Sequence, residues 1–317
     1  MSASEQEQLD WLRLIRSDNV GPATFGRLME FYGDAGRAIA ALPELAKRGK
    51  RKKPLKACDE KTAAQEFKAL KKHGGEWLIQ NDARYPQHLT SLHDAPPVLA
   101  VLGDISLLKK PGLGIVGARN ASIGGRKIAA RFAVDIAAEG FPIVSGLARG
   151  IDTAAHRASL EHGTIAVVAG GIDVVYPEEN KDLYDEIAKY GAIVAESPFG
   201  TPPDRRHFPK RNRIIAGLSY GVLVVEAAQK SGSLITANMA LDYGREVYAV
   251  PGSPLDPRAG GTNSLLKQQA AMLVTSPRDV LDDLLPRRLS PLQETTQDQN
   301  LSGTPIPMAD VAEKSGE

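Results

Sequence analysis

The chain has 317 residues, 42% of them hydrophobic, and a formal net charge of only +1. That length buries a large core and suggests one large domain plus a smaller one. The near-zero charge excludes a globally basic nucleic-acid binder, so any basic surface must come from local clustering. A single cysteine, Cys58, excludes an intrachain disulfide and a paired-cysteine zinc site.

The N-terminus, Met1 to Gln8, is polar and acidic and does not read as a signal peptide. No apolar run approaches the ~20 residues of a membrane span. Residues 5–46 read as helical. Leu9, Leu12, Ile15 and Val20 begin an apolar face, Val20-Gly21-Pro22 breaks it, and Phe25, Leu28, Met29 and Tyr32 resume it before Gly33. Two short helices around such a turn resemble a helix-hairpin-helix or SAM-like module. Its turn amides either face a phosphate or simply close a small packing domain. Residues 47–56 are a basic run without acids, either a solvated linker or a phosphate-binding arm. Residues 61–110 bridge to the main body, with extended or turn segments at Tyr85-Pro86 and Ala95–Leu99.

From about residue 111 to 285, short apolar runs alternate with helical stretches. The runs are Leu113–Val116, Pro142–Val144, Thr164–Val168, Ala192–Ala195, Val222–Val225, Val247–Val250 and Met272–Val274. The helix candidates are Lys127–Glu139, Thr153–His162, Lys181–Tyr190 and Leu234–Tyr243. Runs this short and continuous suit strands buried on both faces. The alternation predicts an α/β fold with a doubly wound, mostly parallel sheet whose strand C-termini share one edge. After about residue 286 the chain turns polar and loses periodicity, reading as a linker or disordered tail.

The strand exits carry glycine, serine or a cation: Gly117-Ala118-Arg119, Ser145-Gly146-Leu147-Ala148-Arg149, Gly170-Gly171, Glu196-Ser197, Glu226-Ala227 and Pro251-Gly252. Glycine lets backbone amides approach an oxyanion, and arginine forks onto phosphate. Several such loops on one edge point to a polyanion site. Gly117 to Gly125 lacks the dinucleotide fingerprint, and a P-loop is absent, so no cofactor is expected. Asp152 and His156 lie four apart. They serve as a helix cap and a local hydrogen-bonding ring, or else as metal ligands. Glu196 and Glu226 either do acid-base work or hold arginines in place. Lys230-Ser231-Gly232-Ser233 opens a helix, as an anion seat or as simple capping.

The densest cluster is His207-Phe208-Pro209-Lys210-Arg211-Asn212-Arg213, followed by the apolar Ile214, Ile215 and Leu218. Three cations cannot be buried without partners. The segment therefore reads as a loop at a cleft rim, with Phe208, Lys210, Arg211 and Arg213 facing a strand of nucleic acid. Asn212 ties the loop down, and the apolar tail anchors a following helix.

Six ordered motifs from Tyr85 to Thr275 carry a family resemblance. They are Gly117-Ala118-Arg119; Ser145 to Asp152 with Ala155-His156; Gly170 to Asp173 with Tyr176-Pro177; Phe208-Pro209 to Ile215 with Leu218-Ser219; Ser231-Gly232-Ser233 with Thr236-Ala237; and Pro251-Gly252. Together they resemble the DNA-processing protein A family (DprA/Smf). The resemblance implies a Rossmann-like domain over residues 61–285. It is preceded by a small all-helical SAM-like domain and basic linker over 1–60, and followed by a polar tail over 286–317. The winged-helix domain of many members is absent or cut off. The resemblance further implies a cytoplasmic bacterial protein that dimerises and binds single-stranded DNA without strong sequence preference. It would protect the strand and help load RecA in natural transformation, with no catalytic residue, metal, cofactor or membrane contact.

On this reading Arg119, Arg149, Lys210, Arg211 and Arg213 neutralise phosphates. Gly117, Ser145, Gly146, Lys230, Ser231, Gly232 and Ser233 add donors, and Phe208 or His207 stacks on a base. About four engaged phosphates give a log–log salt slope of roughly −3. Arg211→Ala is expected to weaken binding to all sequences alike without changing folding. A LOG-like nucleotide phosphoribohydrolase is the enzymatic alternative, although Lys230–Thr236 lacks the glutamate its loop needs. A third reading is a partner adaptor built on the helices near residues 214–243.

Overall fold

Helix formation in the first module follows its caps. The computed structural model describes residues 3–48 and 56–289, so most of the basic run and all of the tail beyond 289 lie outside the described residues. Helix α1 (Glu5–Ile15) starts where Ser4 Oγ accepts from Glu7 N. Pro22 opens α2 (Pro22–Tyr32), and Gly33 closes it with φ 80°. Helix α3 (Ala35–Arg48) completes the hairpin, and α4 (Glu60–Lys72) begins at an Asp59 cap. The α1–α2 turn is engaged internally. Asp18 N donates to Lys56 O and Val20 N to Ser17 O. Cys58 N donates to Ser17 Oγ, and Arg13 Nε donates to Cys58 O. Those amides are engaged within the module, whereas the N-terminus of α2 has no side-chain cap.

Among the described residues the body is one nine-stranded sheet. Its strands are β1 (Glu76–Ile79), β2 (Val98–Gly103), β3 (Gly112–Val116), β4 (Ile143–Ser145), β5 (Thr164–Val168), β6 (Ala192–Ala195), β7 (Ser219–Val224), β8 (Glu246–Ala249) and β9 (Met272–Leu273). Their spatial order is β1-β2-β6-β5-β4-β3-β7-β8-β9. The β2 pairings with β1 and β6 are antiparallel, and the others are parallel. The fold is therefore α/β, doubly wound and Rossmann-like, and chain order reverses between β3 and β7. All seven expected strands are present. The bridging segment instead supplies α4, β1 and β2, and the last two extend the sheet antiparallel.

The helices of the body are α5 (Gln87–Thr90), α6 (Ile123–Ala138), α7 (Ile151–Ser159), α8 (Lys181–Tyr190), α9 (His207–Gly217), α10 (Ser233–Asp242), α11 (Gly260–Lys267) and α12 (Pro277–Leu289); α6 to α11 link parallel strands or, for α9, cross the sheet from β6 to β7. Three apolar clusters cover the sheet. One joins Trp11, Leu12 and Phe25 of the helical module to Val98, Ala100, Ile193 and Ala195 of the sheet, so the module and body share a core. The same junction carries an ion pair, Arg16 with Glu66, whose Oε1 also accepts from Phe199 N. Among the described residues no helix is long and apolar enough to cross a membrane.

Two imidazoles are withdrawn from solvent. His156 is fully buried, its Nδ1 2.7 Å from Thr164 Oγ1, and His88 has a buried Nε2. Burial pushes the His156 ring down to about 3 and the His88 ring to about 4; nearby Arg211 and Arg245, respectively, add repulsion. Both stay neutral when folded, whereas the unfolded chain takes up protons from about pH 6.5 downward. Their contribution is complete above that pH and is lost as pH falls toward the folded values. The denaturant midpoint should therefore drop between about pH 7.5 and about pH 5. It should drop less in the double variant His88→Gln, His156→Gln; an equal drop in that variant would show that other groups govern the acid limb.

Candidate nucleic-acid interface

The cationic segment is helical from His207 onward, not a loop. Asp204 starts it early: its Oδ1 accepts from Arg206 N at 2.7 Å and His207 N at 3.2 Å. Pro209 sits in the first turn, where a missing N–H costs nothing. On a helix, Arg211, Ile214, Ile215 and Leu218 share one face. Arg211 is thereby carried inward to 6% exposure.

The buried guanidinium is partly provided for; its Nε is buried without a hydrogen-bond partner among the described residues. Arg211 Nη1 donates to Val167 O at 2.6 Å, at the end of β5. It lies so close to the β4 exit that a Cβ at position 146 would sit 1.9 Å from Nη1, which explains Gly146. Asp152 supplies the balancing charge. Burial lowers Arg211 to about 10, opposed by attraction to Asp152, with repulsion from Arg119 adding to the fall. Burial raises the Asp152 carboxyl, and Arg211 and the loop amides oppose that rise. Asp152 Oδ2 accepts from Gly146 N (3.1 Å) and Ala148 N (3.3 Å). It thus fastens the loop ahead of α7 rather than capping the amides that follow it. His156 turns its Nδ1 to Thr164 Oγ1 at 2.7 Å.

Above this floor opens a pocket of about 350 Å³, its mouth included. Arg119 and Arg149 flank it, both exposed. Arg119 Cζ stands 5.1 Å from the Phe208 ring centre, and Tyr176 meets that ring at 5.8 Å and 55°. Arg149 Nε pairs with Glu179 Oε1 at 2.6 Å, both half-exposed, which makes a weak and displaceable bridge. Tyr176 and Pro177 also line the pocket; they stood in a motif but were not among the candidate site residues. Their one visible signal was an aromatic-proline pair just past a strand exit.

The remaining candidates stand elsewhere. Arg213 does not face the pocket. Its Nη2 donates to Glu196 and its Nη1 to Asp94 O, and it is 6% exposed. Glu196 thus holds an arginine in place. Glu226 does not; it accepts from Ser122 N and Oγ. Ser145 is fully buried, and its hydroxyl ties β4 to Ile115 O of β3. Gly117 is a close-packing glycine, because a Cβ there would lie 2.6 Å from Ile151 Cγ1. Lys210 is exposed on α9. Asn212 Nδ2 reaches Gly232 O at 3.4 Å and so ties α9 to the Lys230–Ser233 loop. In that loop Ser231 and Ser233 bond each other through their hydroxyls. The loop does not line the pocket.

The pocket and sheet fall within a family model, DNA recombination-mediator protein A, that matches residues 76–285. A second model, the DprA-like N-terminal HHH domain, matches residues 5–69. The DNA processing protein DprA of Bacillus subtilis is 45% identical over 224 residues, which is 70% of this chain and 75% of that protein. The protein of the same name from Streptococcus pneumoniae is 48% identical over 202 residues, 63% of this chain and 71% of that one. The crystal structure of the pneumococcal protein superposes with TM-score 0.74 at 36% identity, covering 89% of this chain and 99% of that one. DNA processing protein A from Helicobacter pylori, described for its single-stranded DNA binding mode, gives TM-score 0.62 at 30% identity over 67% of this chain and 96% of that one. These relatives support a role in DNA processing. A model that spans the sheet, the strand exits and the Arg119–Phe208 pocket alike places this chain in the DNA recombination-mediator protein A family.

Proposed function

We propose that the protein binds single-stranded DNA across the pocket framed by Arg119, Arg149 and Phe208. The observation that carries this reading is an aromatic ring with a guanidinium on its face, set above a second, buried guanidinium. A base stacks on Phe208 or Tyr176 while Arg119, Arg149 and Lys210 meet phosphates. Stacking tolerates any base, in keeping with weak sequence preference. Protection of the strand and delivery to RecA follow as the family role in the bacterial cytoplasm, and a homodimer is part of that proposal. Supporting it, the sheet edge at β9 leaves Met272 47% and Leu273 52% exposed. A phosphoribohydrolase is not favoured, because Lys230–Ser233 stands away from the pocket and no glutamate opens α10.

With Arg213 turned away and Arg211 forming the floor, three exposed cations remain for phosphates. The slope of log K against log salt is therefore expected near −2, at about −0.7 per phosphate. Titration of a labelled oligothymidylate at several salt concentrations checks this. A flat profile would remove the phosphate contacts from the model.

A further inference from the structure

A net charge of +1 requires any basic surface to be local, and one such surface extends beyond the pocket. From Gly117 to Val134 the chain carries Arg119, Arg126, Lys127 and Arg131 and no acid. The stretch leaves β3 as a loop and continues as α6, which starts where Ser122 Oγ accepts from Gly125 N. Arg119 lines the pocket, so the run begins at the proposed strand site and leads away from it.

On α6, positions 123, 127 and 131 recur every fourth residue and form one stripe. Ile123 is 69% exposed, and Lys127 and Arg131 are exposed beyond it. At about 1.5 Å of rise per residue, the two cations stand about 6 Å apart along the axis. Among the described residues neither has an ion-pair partner. Asp135 is the first acid on the helix. On the two helices packed against α6 the acids are engaged elsewhere. Asp152 of α7 accepts from its loop amides, and Asp279, Asp282 and Asp283 of α12 are held by Thr275, Arg278 and Tyr248. The first turn of α6 has no acid, and Arg126 and Lys127 follow it directly, so the charges oppose the helix dipole. Helix stability gives no reason for these cations, whereas an anion lying across the outer face does.

We infer that a DNA strand leaving the pocket runs along the outer face of α6, with phosphates on Lys127 and Arg131 and a base or sugar against Ile123. The inference rests on the single-strand reading above and extends it from a pocket to a track. Contacts of this kind position a strand without reading base edges, in keeping with weak sequence preference.

The test is a ladder of oligothymidylates of increasing length, titrated by fluorescence anisotropy at several salt concentrations. Oligomers that fill only the pocket should keep a log–log slope of about −2, and those that reach α6 should steepen to about −3.5, two more phosphates at about −0.7 each. Lys127→Ala combined with Arg131→Ala should return the long oligomers to the shallower slope and leave the short ones unchanged. The unfolding midpoint of that variant should not fall, because both side chains are exposed and alanine favours a helix. The charge control is Lys109→Ala with Lys110→Ala. These exposed lysines follow β2 at the opposite edge of the sheet, where its last residue, Gly103, pairs with Ala192 at the start of β6. The control should bind both lengths like wild type. An equal loss in the control would overturn the inference, as would a slope independent of length, or a stripe variant that binds long oligomers like wild type. If Arg119→Ala still weakens both lengths in such a case, the pocket reading stands without the track. Wild type that binds neither length would overturn the single-strand reading along with it.

Discussion

Arg211→Ala should lower the stability of the protein by about 2–5 kcal/mol, since it empties a buried site and removes the cation that offsets the Asp152 charge. The side chain is 6% exposed, fills the space left by Gly146 and donates to Val167 O. Its loss leaves Asp152 buried, with only loop amides and a hydroxyl to balance its charge. The expectation of an affinity defect without a folding defect is thus replaced by a folding defect first. Guanidinium chloride unfolding reads it directly as a lower midpoint. The double variant Arg211→Met, Asp152→Asn should recover most of the loss, because a matched neutral pair leaves no stranded charge. A single alanine variant as stable as wild type would mean that Asp152 does not depend on Arg211. Arg211 would then be a pocket cation alone.

The same residue marks the limit of what the sequence discloses. Short continuous apolar runs such as Thr164–Val168 and Ala192–Ala195 are legible because a strand covered on both faces has no polar alternation to hide it. β1 goes unread because Glu76-Trp77-Leu78-Ile79 is a brief run behind His73-Gly74-Gly75, and β2 is read only as an extended or turn segment at its start because it leaves Pro96-Pro97 directly. The cationic segment misled for a sound reason: three cations in one turn argue against burial. The partners that permit burial come from far away in the chain. Val167 and Asp152 serve Arg211, and Glu196 and Asp94 serve Arg213. Periodicity alone could not bring them together. Arg119 and Phe208 are legible because one is exposed and the other half-exposed, and neither needs a charged partner to be tolerated. Tyr176 joins them only through the packing of the β5 exit against α9.

Phe208→Ala should weaken single-stranded DNA binding by about 5- to 150-fold, equivalent to one stacked base at roughly 1–3 kcal/mol. The ring is half-exposed, so the unfolding midpoint should barely move, in contrast to Arg211. Arg119→Ala should also weaken binding, and it should make the salt slope shallower by about 0.7, the share of one phosphate. Arg119 Cζ lies 5.1 Å from the Phe208 ring centre, within cation–π reach, which predicts coupling. An exposed cation–π pair is worth about 0.5–1 kcal/mol, and the guanidinium also holds the ring for the base. The double variant should therefore lose less than the sum of the singles. Phe208→Trp keeps a stacking face and should retain most of the affinity, whereas Phe208→Leu keeps only bulk and should not. Glu179→Gln offers the reverse sign, because releasing Arg149 from its exposed bridge should tighten binding and steepen the salt slope. Additive losses for Arg119 and Phe208, or a leucine variant that binds like wild type, would separate the ring from the strand and leave the cations to act alone.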